Sequence, residues 1–168
     1  MQKNKKALGD LAERLVFNYF KSKGSSVEFS TNKYDSQKDL IVDGKTVEVK
    51  FQTIYHSFKS YCFGNNKIKA FTVPITVGSN KLAQNQLDKC LNVDRWIIVQ
   101  NPSDRLREKT IKIWEAPPLG ERRFGFSLNS KDMRIVAGFP LSTFNLLVDI
   151  DDKPLYDKIK SLDFSKFS

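Results

Sequence analysis

Histidine is nearly missing from this chain, and so are paired cysteines, long apolar runs and glycine loops of the phosphate-binding kind. The single histidine, His56, has no serine, cysteine or carboxylate at a spacing that suggests a catalytic triad, so it reads as a surface or loop imidazole. Cys62 and Cys90 stand 28 positions apart with no CxxC, which argues against both a zinc cluster and a disulfide framework. Both are expected as small buried apolar residues in a reducing compartment. No apolar stretch is long enough to span a bilayer. The opening MQKNKKALGDLAERL is basic and lacks the apolar run and small-residue cleavage site of a signal peptide, so a cytoplasmic protein is expected. No repeat, low-complexity segment or linker divides the chain, and 168 residues at 40% apolar content predict a single domain, 1–168.

What the chain does have is positive charge. Lys and Arg number 28 against 19 Asp and Glu, a net charge of +9, which favours polyanionic partners through long-range attraction; nucleic acid is the commonest of these.

Between Ala7 and Lys23, Leu8, Leu11, Ala12, Leu15, Val16, Tyr19 and Phe20 recur at three- and four-residue spacing, predicting an amphipathic helix ended near Gly24. Glu13 falls at the edge of its apolar face, where a carboxylate wants a partner. Strands are predicted over 27–33, 39–43 and 45–54, the last two joined by Asp43-Gly44, a pair that favours a two-residue type I′ turn. That turn sets a register: Val42 with Lys45, Ile41 with Thr46, Leu40 with Val47, and Asp39 with Glu48. Residues 55–69 show no steady period and read as an exposed loop. Strand-like 71–77 contains Pro74, which argues for an edge or a break. A helix over 79–91 and strands RWIIVQ (95–100) and 110–115 follow, with Trp96 and Trp114 as core residues. GERRFGFSLNSKDMR (120–134) has the aromatic and basic composition of a ribbon or loop on a phosphate backbone, or equally of a solvated hairpin. Pro154 is at the start of a last helix running toward Leu162.

In the strand KTVEVKFQ, alternation puts Val47, Val49 and Phe51 toward a core and Glu48, Lys50 and Gln52 on the opposite face, to which the hairpin adds Asp39. Two carboxylates opposed at roughly 5 Å are destabilising unless something positive lies between them. Asp39 and Glu48, with the Val49 carbonyl and Glu13 as further ligands, suit a hard divalent ion such as Mg²⁺, with Mn²⁺ as a substitute. Lys50 then stands where it can orient a nucleophilic water, and Gln52 extends the row.

Asp39, nine residues, then Glu48-Val49-Lys50, with Gly9-Asp10-Leu11-Ala12-Glu13 on the preceding helix, resembles the PD-(D/E)xK or restriction-endonuclease-like nuclease superfamily. Lys38 stands where the family name has proline, a position that varies across the superfamily. The resemblance covers about residues 7–100. It implies an α/β fold with a restriction-endonuclease-like core, a central mixed β-sheet flanked by helices, and residues 101–168 adding strands and a C-terminal helix for DNA contact and oligomerisation. It also implies Mg²⁺-dependent hydrolysis of phosphodiester bonds to 5′-phosphate and 3′-hydroxyl ends, with Glu13, Asp39, Glu48, Lys50 and Gln52 as catalytic residues.

The expected function is a site-specific double-stranded DNA endonuclease of homing or restriction type, encoded by a bacterium or phage, nucleoid-associated, and acting as a homodimer or homotetramer. A Holliday-junction resolvase and a non-catalytic DNA-binding protein on the same fold are the alternatives. Candidate DNA contacts are Lys59, Lys67, Lys69, Arg105, Arg107, Arg122, Arg123 and Arg134, the arginines ranking first because bidentate pairing with guanine is their speciality.

Overall fold

The computed structural model describes residues 2–30, 39–52, 56–75, 82–100, 111–129 and 134–150. Helix α1 (Gln2–Ser22) buries Ala12, Val16 and Phe20, one residue per turn, each at most 5% exposed. It ends as expected. Gly24 takes φ +84, the Ser25 N–H donates to the Phe20 carbonyl at 3.1 Å and the Gly24 N–H to the Lys21 carbonyl at 3.1 Å, the paired bonds of a Schellman cap.

Strand β1 (Val27–Phe29) leads to the hairpin of β2 (Leu40–Val42) and β3 (Lys45–Gln52). Asp43 and Gly44 both have positive φ, +50 and +78, as a type I′ turn requires. The register is the expected one, Val42 opposite Lys45, Ile41 opposite Thr46 and Leu40 opposite Val47. Asp43 also ties the turn to β1: its carboxylate accepts from the Ser26 N–H at 2.9 Å and its own N–H donates to the Ser26 carbonyl at 2.8 Å.

After β3 come β4 (His56–Lys59), a 3-10 turn (Tyr61–Phe63), β5 (Lys67–Pro74), α2 (Leu82–Asn92) and β6 (Arg95–Gln100). Beyond β6 lie β7 (Ile111–Glu115), β8 (Gly125–Asn129), β9 (Arg134–Pro140), a second 3-10 turn (Leu141–Thr143) and β10 (Asn145–Ile150). β3 and β6 pair in parallel, and every other pairing is antiparallel. The strands form a six-stranded mixed sheet, β1-β2-β3-β6-β7-β10, and a four-stranded sheet, β4-β5-β9-β8.

One face of the mixed sheet packs on α1, with Leu40, Val42, Val47, Val49, Ile97, Val99, Ile111 and Ile113 in that core. The other face carries Trp96 and Ile98 against Leu87 and Cys90 of α2 and against Phe71, Val73, Ala137 and Phe139 of the second sheet. Apolar groups on both faces of RWIIVQ are what a central strand needs.

Several expectations are corrected. Residues 55–69 are not an irregular loop: most of them build β4, the first 3-10 turn and the start of β5. Pro74 ends β5, which lies between β4 and β9 rather than at an edge. Its missing N–H costs no bond to β9, because Pro74 stands opposite Val136 at a non-hydrogen-bonded position and the Ile75 N–H donates to the Ile135 carbonyl at 2.9 Å. The segment 145–150 is a strand that composition does not announce. Cys90 is buried, but Cys62 is exposed. The His56 side chain and the helix expected from Pro154 lie outside the described residues. No helix among the described residues is long and apolar enough to cross a membrane.

Candidate active site

The polar face of β3 is not a solvated one. Glu48 is 2% exposed, in register with Trp96 on β6, and covered from the side of α2 and the second sheet. Its Oε1 lies 2.9 Å from the Lys50 ammonium, which also donates a hydrogen bond to the Gln86 side-chain oxygen on α2. Gln52, the last residue of the strand, donates from Nε2 to the Thr72 carbonyl of β5 at 3.1 Å. A buried carboxylate, a half-buried ammonium and an amide thus follow one another at two-residue steps.

Asp39 joins this row at the end of β2. Its N–H donates to the Val47 carbonyl at 2.9 Å and its Oδ2 accepts from the Val49 N–H at 2.9 Å. The ladder has therefore ended at Leu40–Val47, and the carboxylate takes the place of the next strand residue as acceptor. N–H and C=O of a strand residue leave by the same edge, so the Val49 carbonyl shares this edge with Asp39. Glu13 reaches the same place from α1 and hydrogen-bonds the Asp39 side chain.

Electrostatics show how crowded the acids are. Glu13 is pushed up to about 8, first by burial, then by the charges of Asp39, Asp10 and Glu48 and by its hydrogen bond to Asp39. Glu48 is pushed up to about 6 by burial and by Asp39, against the lowering effect of Lys50 and Lys89. Burial works to lower Lys50, but the Glu48 carboxylate outweighs it and the net direction is up. Burial pushes the Cys90 thiol beside this group up to about 12, which leaves it unreactive near neutral pH.

Four buried side-chain polar atoms have no hydrogen-bond partner among the described residues, and two of them, Glu48 Oε2 and Gln52 Oε1, belong to this row. A third, Trp96 Nε1, is on the residue in register with Glu48. An unpaired carboxylate oxygen inside a protein is costly unless a cation or ordered water takes its lone pairs. No set of three or more His, Cys, Asp or Glu side chains among the described residues is arranged to hold a metal ion. The donors that converge are fewer and harder: Asp39, the orphaned oxygen of Glu48 and a main-chain carbonyl, a set that fits a hydrated Mg²⁺. Glu13, also expected as a ligand, instead bonds to Asp39.

Gln86 is the functional candidate that sequence does not announce. A helical Gln four residues before Cys90 looks like any polar position on α2, and only the packing of α2 over β3 sets it against Lys50. The site lies toward the C-terminal ends of parallel β3 and β6. At their other end a concave pocket is lined by Lys45, Arg95, Glu115 and Pro118, but its main ionic groups are mutually satisfied, Arg95 holding Glu115 through contacts of 2.6 and 2.7 Å.

The expected DNA contacts separate sharply. Lys59, Lys67, Lys69 and Arg123 are exposed. Arg122 is not available: it is 6% exposed, and its guanidinium donates to the carbonyls of Cys90 and Val93 at 2.7 Å, Pro117 at 2.9 Å and Asp94 at 3.0 Å. Burial with that many acceptors is structural, and Arg122 is withdrawn as a DNA contact. Arg105, Arg107 and the side chain of Arg134 lie outside the described residues. In comparisons with family models, curated proteins and solved structures, nothing matches this chain.

Proposed function

We propose that the chain is a Mg²⁺-dependent endonuclease of the restriction-endonuclease-like kind, hydrolysing phosphodiester bonds in double-stranded DNA at specific sites. The observation that carries this reading is the meeting of Asp39, Glu48 and Lys50 at one sheet edge, with a buried Glu48 oxygen left unpaired. Support also comes from element order. A helix, a strand, the hairpin that bears the acids, a second helix and a strand parallel to β3 follow one another, the four-stranded sheet interrupting this series through β4 and β5.

Asp39, Glu48 and the Val49 carbonyl would hold the ion. When bound, Mg²⁺ supplies electrostatic stabilisation of the negative charge that builds on the phosphoryl group. Glu48 and Gln86 hold the Lys50 ammonium in place, and Lys50 orients the attacking water and counters its developing charge. Gln52, with one free acceptor, holds a second water or a sugar hydroxyl on the same line. Glu13, protonated near neutral pH, donates to Asp39 and keeps that carboxylate aimed along the edge. Two copies of the chain related by a two-fold axis would present two such sites to the two strands of a duplex.

The test is Glu48→Ala. Mg²⁺-dependent cleavage of a randomised duplex library should disappear while DNA affinity is largely retained, because ion ligation and phosphate neutralisation are separate contributions. Cleavage equal to the parent removes Glu48 from the reaction. Sequenced ends with a consensus and fixed stagger support the site-specific reading, whereas symmetric nicks confined to four-way junctions would replace it with a resolvase. A parent protein that binds DNA and cuts nothing with Mg²⁺ or Mn²⁺ would leave a binding protein.

A further inference from the structure

The β4–β5 ribbon carries a row of exposed lysines, Lys59, Lys67 and Lys69. Lys59 of β4 stands directly opposite Lys67 of β5. Like charges directly opposed across antiparallel strands are destabilising. Alternation puts Lys69 on the same face as Lys67, and all three are exposed. Farther along β5 that same face carries Phe71 and Val73, both buried in the core between the second sheet and the mixed sheet. The lysines therefore continue, at steps of ~7 Å, a face whose inner end packs toward the candidate active site.

Three further observations bear on what meets this face. Tyr61, in the turn between the two strands, is 87% exposed, so its ring contributes little to the core. Gly64 and Asn65 take left-handed φ of +68 and +57, which turns the chain back from β4 toward β5. The Thr72 carbonyl of β5 accepts from Gln52, so the ribbon is attached to the last residue of the polar row.

We infer that the β4–β5 ribbon is an arm that binds the backbone of duplex DNA, with Lys69, Lys67 and Lys59 on phosphates flanking the cut and Tyr61 against the sugars at the groove edge. A phosphate between Lys59 and Lys67 relieves their mutual repulsion. The ribbon's attachment at Gln52 runs the lysine row outward from the catalytic one, as a continuous backbone track requires. The inference rests on the nuclease reading and names the surface through which that site holds its substrate.

The test uses the full chain without divalent metal. The Lys59→Gln, Lys67→Gln, Lys69→Gln triple variant should bind duplex about tenfold or more weakly at ~0.1 M salt, and the slope of log affinity against log salt should fall by about 2 to 3. The Lys59→Gln, Lys67→Gln double variant should melt at or above the temperature of the parent, since it removes the directly opposed pair. In the parent, saturating duplex should slow alkylation of the exposed Cys62 severalfold, with buried Cys90 unreactive throughout as an internal control. Variant affinity within a factor of two and an unchanged salt slope overturn the arm, as does Cys62 alkylation at one rate with and without bound DNA. Failure of the nuclease reading looks different: protection of Cys62 in a protein that never cuts keeps the arm and loses the active site.

Discussion

Lys50 is held from two directions, by Glu48 on its own strand and by Gln86 on α2, and this separates an engaged lysine from a solvated one. An oxygen acceptor favours the ammonium over the amine, so removing it lowers the pKa of the lysine. Gln86→Ala should therefore lower kcat by about ten- to a hundredfold, leave KM for DNA nearly unchanged, and move the alkaline limb of the pH–rate profile to lower pH. Gln86→Glu should restore that limb or raise it. A residue that merely packs would change stability and leave the profile in place. Arg122 is the opposite lesson. In ERRFGF its neighbours make it look like a phosphate ligand, and composition does not distinguish a buried guanidinium from an exposed one. Arg122→Met should destabilise by about 2–4 kcal/mol, because several carbonyls lose their donor, and leave the salt slope of DNA binding unchanged. Arg123→Met should do the reverse, weakening DNA binding with little change in stability.

The second sheet depends on two glycines. Gly125 and Gly138 are directly paired across β8 and β9. A Cβ at Gly138 would lie 2.5 Å from the Phe58 ring, and one at Gly125 2.6 Å from Ser60 Oγ. Phe58, buried and edge-on to Phe63, closes over that side-chain-free floor. Ser60 adds a hydrogen bond from its hydroxyl to the Phe126 carbonyl at 2.8 Å. This is how a segment without period becomes ordered: its aromatic residues find their surface on strands far later in the chain, Phe58 on Gly138 and Phe63 on Gly125. Gly138→Ala should cost about 1–3 kcal/mol in denaturant unfolding, since the ring has to move for the methyl to fit. The β2–β3 hairpin needs no such distant help. Asp43-Gly44 and the alternation on each side carry its register locally, and the structure keeps three of the four predicted pairs, Asp39 leaving the ladder to bond the Val47 carbonyl and the Val49 N–H instead of pairing with Glu48.

Across the whole molecule, acids gathered at one edge make stability depend on pH and, on the proposed nuclease reading, on divalent ions. The carboxyl of Glu13 titrates near its ordinary 4.5 when unfolded and at about 8 when folded, and Glu48 shifts in the same direction to about 6. The folded state then binds more protons over that range. The stabilisation is complete below pH 4.5 and is lost as pH rises through 6 and 8. Unfolding midpoints of metal-free protein should accordingly fall from pH 5 to pH 8.5, and Glu13→Gln should flatten much of that fall. Added Mg²⁺ should raise the melting temperature more at pH 8.5 than at pH 5.5, because only ionised carboxylates take the ion. A pH-independent Mg²⁺ shift, or none, would count against the ion-binding edge.

By itself, the order of residues determined the local devices: α1 with its glycine cap, the type I′ turn, and the alternation that sets Glu48, Lys50 and Gln52 on one side of β3 and brings Asp39 beside them. Each depends on contacts between near neighbours, where period and turn chemistry are enough. Tertiary structure decided what covers that row, which amide holds Lys50, which arginine is buried and which lysines stand out on a ribbon. Those outcomes rest on strands and a helix far apart in sequence meeting across the mixed sheet, and burial, unlike period, is a property of the meeting rather than of the segment.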